Sequence, residues 1–193
     1  MRAFVLLAAA AMCASAAPMT ILYTGSGSGS LDGVAFGLVD FNILATAETT
    51  DVATGAGFAR VSHLTAVIEI PIGPGFFSFT VPTSTIILNG PSEAIFAYNP
   101  PGTHLIGGYN DPELSTYALD GNLTVNDASI ALFQWAISDP VMTDGGRLIF
   151  EDISGVAGMF SVEIGGTGNP VPEPATWMLL GVPLALLIGR RRP

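Results

Sequence analysis

His63 and His104 are the only histidines in this chain of 193 residues, and histidine is the side chain whose ordinary pKa makes it a base at neutral pH. His63 stands between Ser62 and Leu64 in a stretch that alternates like a strand, whereas His104 follows Pro100-Pro-Gly-Thr103 in an expected loop. Serines and aspartates are plentiful enough for a Ser/His/Asp triad, but no G-x-S-x-G elbow is present to expose a nucleophile. One cysteine and two separated histidines do not make the ligand cluster of a structural zinc site. Calcium, which takes oxygen ligands, is the metal the sequence could hold. Asp111 and Glu113 flank Pro112, Asp120-Gly-Asn122 lies close to Asn126-Asp127, and Asp139, Asp144, Glu151 and Asp152 follow. Asp120, Asn122 and Asp127 are the leading ligand candidates. They do not form an EF-hand, because the twelfth position from Asp120 is Ala131 where a bidentate glutamate is needed. Aspartates in turns more often cap the local backbone than bind metal, so no cofactor is expected.

Sugars stack on aromatic side chains, and Tyr98, Tyr109, Tyr117 and Trp135 are the candidates, with Trp135 the one best read as core. Thr83 and Thr85 form a single T-x-T that no repeat continues, short of the regular threonine array an ice-binding face requires. The run Thr24-Gly-Ser-Gly-Ser-Gly-Ser30 has the look of a phosphate loop. It completes neither G-x-G-x-x-G nor G-x-x-x-x-G-K-[ST], the chain having no lysine, and it reads instead as a flexible turn after an edge strand, Met19 to Tyr23.

The elements that would position these residues are strands. Val39, Phe41, Ile43 and Ala45 alternate with Asp40, Asn42, Leu44 and Thr46, one face inward and the other outward, with Leu44 the apolar residue among the outward ones. Glu48 to Arg60 reads as a mobile polar loop and Val61 to Ile70 as one strand. Phe76 to Val81, Ser84 to Leu88 and Glu93 to Tyr98 follow, separated by Pro71-Ile-Gly-Pro-Gly75, Pro82 and Asn89-Gly-Pro91. Asn126 to Ile137 fits a short helix or a strand equally well, and Gly146 to Phe150 and Met159 to Ile164 close the domain as strands. Strands recurring every eight to twelve residues predict an all-β sandwich or jelly-roll-like single domain.

Between residues 17 and 170, Arg60 and Arg147 face 15 carboxylates, a net charge of 2 − 15 = −13. That balance makes nucleic acid and anionic lipid, which are bound by basic side chains, poor partners, and no nucleic-acid partner is expected. Met1-Arg2, the apolar run Ala3 to Met12 and Ala14-Ser15-Ala16 read as a secretory signal peptide spanning residues 1–16. The A-x-A site places cleavage before Ala17 and removes Cys13, so the mature chain has no disulfide to support it. Gly165 to Pro170 is a flexible linker. Ala175 to Gly189 carries no charge and as a helix would rise about 22 Å, a minimal membrane span with Trp177 at one interface. Arg190, Arg191 and Arg192 would lie on the cytoplasmic side and the body outside.

Val171-Pro172-Glu173-Pro174, the short apolar helix and the arginine cluster, in that order at residues 171–193, resemble the PEP-CTERM sorting signal, a motif also described as an ice-binding-protein C-terminal domain. The resemblance implies a Gram-negative host, recognition by an exosortase and cleavage near Pro172-Glu173-Pro174 after transient anchoring in the inner membrane. The order of the glycine–serine run, Asp40 to Thr46, Leu64 to Ile70 and Arg147 to Phe150 also looks like the β-rich cargo of short PEP-CTERM proteins. Together these predict an exported body at residues 17–164 delivered by the secretion machinery. Its expected role is a non-enzymatic surface or matrix protein, secreted and associated with exopolysaccharide or biofilm. A carbohydrate-binding module and a secreted glycan-active hydrolase are the alternatives.

Overall fold

The computed structural model describes residues 16–98, 103–132, 135, 140–153 and 157–165. Ala14, the sorting motif at 171–174, the apolar segment 175–189 and the arginines at 190–192 lie outside these residues, and among those described no helix is long and apolar enough to cross a membrane. The body is all-β. Its strands are β1 (Pro18–Leu31), β2 (Val34–Glu48), β3 (Val52–Gly55), β4 (Phe58–Ser62), β5 (Thr65–Glu69), β6 (Phe76–Ser78), β7 (Thr83–Leu88), β8 (Glu93–Tyr98), β9 (Thr103–Gly107), β10 (Leu123–Ala128), β11 (Ala131–Leu132), β12 (Val141–Thr143), β13 (Gly146–Asp152) and β14 (Gly158–Ile164).

They form two antiparallel sheets in a sandwich-like arrangement. The larger runs β10-β14-β1-β2-β5-β6, with β13 and then β12 added beside the far half of β1, and the smaller runs β11-β9-β8-β7-β4-β3. Beyond β6 the chain reaches β12: Phe79 bridges Thr143, Thr80 N–H donates to the Met142 carbonyl at 3.0 Å and Asp144 N–H to the Ser78 carbonyl at 2.9 Å. At that end the large sheet therefore curls until its two margins meet. Alternation explains the core, since Ile21, Tyr23, Phe41, Ile43 and Ile68 of the large sheet and Val61, Ile87 and Phe96 of the small one all point inward and are buried. Aromatic rings join the layers: Tyr23 of the large sheet meets Phe96 of the small one at 5.6 Å, and Trp135 lies between Phe96, 6.3 Å away, and Phe150 of the large sheet, met edge-on at 4.9 Å.

Three local expectations are corrected. The glycine–serine run is no flexible turn, and β1 is no edge strand. It continues unbroken through Leu31 in the middle of the sheet. Gly25, Gly27 and Gly29 face inward where a Cβ would collide, at Gly29 lying 2.0 Å from the Ile149 carbonyl oxygen, so the glycines make room for Phe41 and Ile130 and for the ring and backbone of the neighbouring β13. The span from Glu48 to Arg60 is a one-turn 3₁₀ helix (Thr49–Asp51) and the β3–β4 hairpin. Val61 to Ile70 breaks at His63 and Leu64, where the chain leaves the small sheet for the large one. In the ambiguous run at 126–137, Asn126 to Ala128 end β10 and Ala131-Leu132 form β11, with Ser129, Ile130 and Trp135 outside any strand, and Phe133, Gln134 and 136–139 lie outside the described residues.

Candidate functional site

The outward side chains of the large sheet line up across its strands. Register places Leu22 of β1 opposite Leu44 of β2, and Leu44 opposite Val67 of β5, giving an apolar strip across three neighbouring strands. One step along, Met159, Thr24, Asn42, Glu69 and Phe76 form a second row across five strands. Together these eight residues line a groove of about 460 Å³, within the range of small-molecule sites. Leu44 is 47% and Phe76 62% exposed, so the apolar lining is open to solvent. Asn42 Nδ2 donates to Glu69 Oε2 at 2.9 Å, fixing an amide–carboxylate pair beside the strip. Further along β2 the same face carries Asp40, whose Oδ1 accepts a hydrogen bond from Ser26 Oγ.

His63 is not a free base. Its Nδ1 lies 2.8 Å from Thr83 Oγ1 and its Nε2 2.9 Å from Thr85 Oγ1, and the ring stacks on Phe96 at 5.6 Å. Tyr23 Oη, fully buried, donates to Thr85 Oγ1 at 2.8 Å, so the chain of donors runs from Tyr23 through Thr85 into the imidazole. The Tyr23 hydroxyl also reaches the Ile95 carbonyl at 3.2 Å, and a neutral ring has one nitrogen donating to its threonine and the other accepting from its own. Burial holds His63 down at about 3 and pushes the Tyr23 phenol well up, so neither exchanges a proton near neutrality. The T-x-T pair thus faces the interior, with Thr83 and Thr85 buried as partners of His63. His104 lies on β9 opposite Ala97, and Ser84, also opposite Ala97, alternates with Thr83 and Thr85; the two histidines therefore belong to opposite faces of the small sheet.

The sugar-stacking candidates are engaged elsewhere. Trp135 and Tyr109 are fully buried, the indole N–H donating to the Leu148 carbonyl at 2.9 Å and the Tyr109 hydroxyl to the Thr24 carbonyl at 3.1 Å. Tyr98 and Tyr117 are half-buried, and the Tyr117 hydroxyl donates to the Gly121 carbonyl. Of the calcium candidates, Asn122 Oδ1 accepts from Ile164 N–H at 2.7 Å and so ties down the end of β14, Asp120 is exposed in the preceding turn, and Asp127 lies on β10. Asp111 caps Glu113 N–H at 2.8 Å and Asp144 caps Ser78 N–H at 2.9 Å. Among the described residues no three His, Cys, Asp or Glu side chains come together to hold an ion.

No family model, no characterised protein and no solved structure matches this chain. Function must then be argued from the groove and from the terminal segments. A second cavity, of about 390 Å³, opens at the curled end between Leu31, Val34, Ile72 and Phe77, with Asp32 as its one charged group. Chemically the groove can hold a ligand with an apolar face and a hydroxylated edge, and it brings together residues that sequence reasoning did not select. Leu44, the apolar exception on an otherwise polar face, was the available signal. Phe76 carried none, because Phe76-Phe77 does not reveal which ring faces outward.

Proposed function

We propose that this protein is an exported, non-enzymatic component of the cell surface or extracellular matrix, released through a PEP-CTERM/exosortase system and associated with exopolysaccharide. The observation that carries the binding role is the solvent-open groove, which offers apolar surface and a fixed amide–carboxylate pair while the half-buried His63 is committed to Thr83 and Thr85. The export role rests on the two terminal segments, and the body is compatible with it. Ala17 and Gly165 leave the body side by side, since Gly165 N–H donates to the Pro18 carbonyl at 2.9 Å and Thr49 N–H to the Ala17 carbonyl at 3.0 Å. Both tags would then emerge from one end of the large sheet. Arg60 and Arg147 among 15 carboxylates leave anionic polymers and lipid as poor partners and a neutral glycan as the compatible matrix component.

The test is the intact mass of the protein recovered from cells and from medium in an exosortase-bearing host. Released protein should begin at Ala17 and end near Pro172-Glu173-Pro174. Recovery of a cytosolic chain retaining both ends would refute the reading. A glycan-active hydrolase is the second reading, and Glu69 with Asp40 on the same face is the carboxylate pair it would use. Turnover of a glycan that Glu69→Gln abolishes would favour it.

A further inference from the structure

We infer that the groove across β14, β1, β2, β5 and β6 is the polysaccharide-binding site itself and that it takes neutral pyranose units, the apolar face of the ring against Phe76, Leu44 and Val67 and its hydroxyls on the Asn42–Glu69 pair. This deepens the matrix-protein reading and rests on it. A pyranose has one face of C–H groups and a rim of hydroxyls, so its site must offer both an apolar platform and paired hydrogen-bonding groups. Leu22, Leu44 and Val67 form the platform and Phe76 stands at its margin with 62% of its surface in water. Asn42 Nδ2 spends one N–H on Glu69 Oε2, which leaves the second N–H as a donor and Asn42 Oδ1 and Glu69 Oε1 as acceptors. Neighbouring hydroxyls need such a mixed set, and because the carboxylate and amide hold each other the set is ordered before a ligand arrives.

Charge decides among the other occupants. An anionic glycan or a phosphorylated ligand would meet Glu69 in the groove and Asp40 on the same face with no cationic side chain lining the site. A second copy docked by the same face about a twofold axis would bring two faces that each carry Glu69 and Asp40, and no lining cation, against one another, which opposes self-pairing. A neutral polyol meets neither penalty.

The test uses the full chain purified in a detergent without a sugar headgroup. Its retardation in gels containing dextran, a soluble mixed-linkage β-glucan, galactomannan or alginate, with calorimetry on the matching oligosaccharides, reads the binding. At least one neutral glycan should retard the protein and alginate should not. Phe76→Ala should weaken that binding about three- to tenfold. Leu44→Ser and Glu69→Gln, also at exposed positions, should each weaken it while leaving the thermal midpoint within a few degrees of the parent. Retention by none of the neutral glycans, tighter binding of alginate, or affinity unchanged in all three variants would overturn the proposal. Intact-mass data would stand apart from either result: correct processing with no glycan binding removes the groove assignment and leaves the export reading, whereas glycan binding by an unprocessed cytosolic chain does the reverse.

Discussion

Acidification from neutrality to pH 5 should destabilise this protein through His63. The imidazole is neutral in the fold, with its pKa lowered to about 3 by burial, whereas in the unfolded chain it returns to its ordinary value of about 6.5. Between those values the unfolded state binds a proton that the folded state refuses, so stability rises with pH and is lost as pH falls through about 6.5 toward 3. At pH 5 the folded ring is still almost wholly neutral and the unfolded one almost wholly charged, so 1.5 pH units at 1.36 kcal/mol each give a loss of about 2 kcal/mol relative to pH 7.5. This figure hardly depends on how far below 5 the folded value lies. The network gives the geometric reason. A protonated ring would donate from both nitrogens, so the Thr83 and Thr85 hydroxyls would both have to accept from it and neither could donate to it. The assay is urea unfolding at pH 7.5, 6 and 5 for the parent and His63→Asn. With a slope of about 2 kcal/mol per M urea, the parent midpoint should fall by about 1 M more than the variant's over this range. Comparing the two cancels His104 and the carboxylates. An equal pH slope in parent and variant, or a His63 imidazole proton resonance titrating near 6.5 in the folded protein, would refute the reasoning.

Glycine substitutions separate close packing from free space. Gly29→Ala should prevent stable folding or lower the thermal midpoint steeply, because its Cβ would sit 2.0 Å from the Ile149 carbonyl oxygen, while Gly37→Ala, with nothing within 4 Å, should be nearly neutral in the same melts. Gly33→Ala, unobstructed but at φ +82°, should cost about 1 kcal/mol for the left-handed backbone alone. Thr49→Val removes the acceptor of the Ala17 N–H, 3.0 Å away, and should cost about 1 kcal/mol in chemical denaturation. Trp135→Phe leaves the buried Leu148 carbonyl without its indole donor and should cost about 1–3 kcal/mol, and the Trp135 emission, read in a Trp177→Phe background, should not respond to glycan, since that ring lies in the core.

What alternation can reveal was legible, and what register decides was not. The inward set Phe41, Ile43 and Ala45 follows from period two alone, and so does an all-β body with a turn where Asn89-Gly-Pro91 stands. Gly25, Ser26, Gly27, Ser28, Gly29 and Ser30 carried the same period, and composition masked it, because glycine and serine are also what flexible linkers are made of. The period is the better signal here: a linker has no reason to keep glycine on every second residue, whereas a strand pressed against Phe41, Phe150 and the Ile149 backbone does. His63 shows the opposite failure. Its neighbours in sequence suggested a strand residue, but its role is set by Thr83 and Thr85, 20 and 22 residues away, and no local pattern links them.

The groove depends on the same distinction. Leu22, Leu44 and Val67 come from three strands and become one surface only when β1, β2 and β5 pair in their observed register; a one-residue slip of β2 would turn Leu44 into the core and replace it outside with Ile43 or Ala45. The slip is blocked by the inward glycines, because Gly25 lies opposite Phe41 and its missing side chain gives that ring its space. The residues most easily taken for a featureless linker therefore fix the register that assembles the outer face. A substitution such as Gly25→Val, far from any ligand, should accordingly disturb the groove together with the core. Glycan affinity and thermal stability should fall together in that variant, whereas in Phe76→Ala affinity alone should fall. A Gly25→Val protein with parental stability and parental affinity would break the link between the glycine run and the binding face.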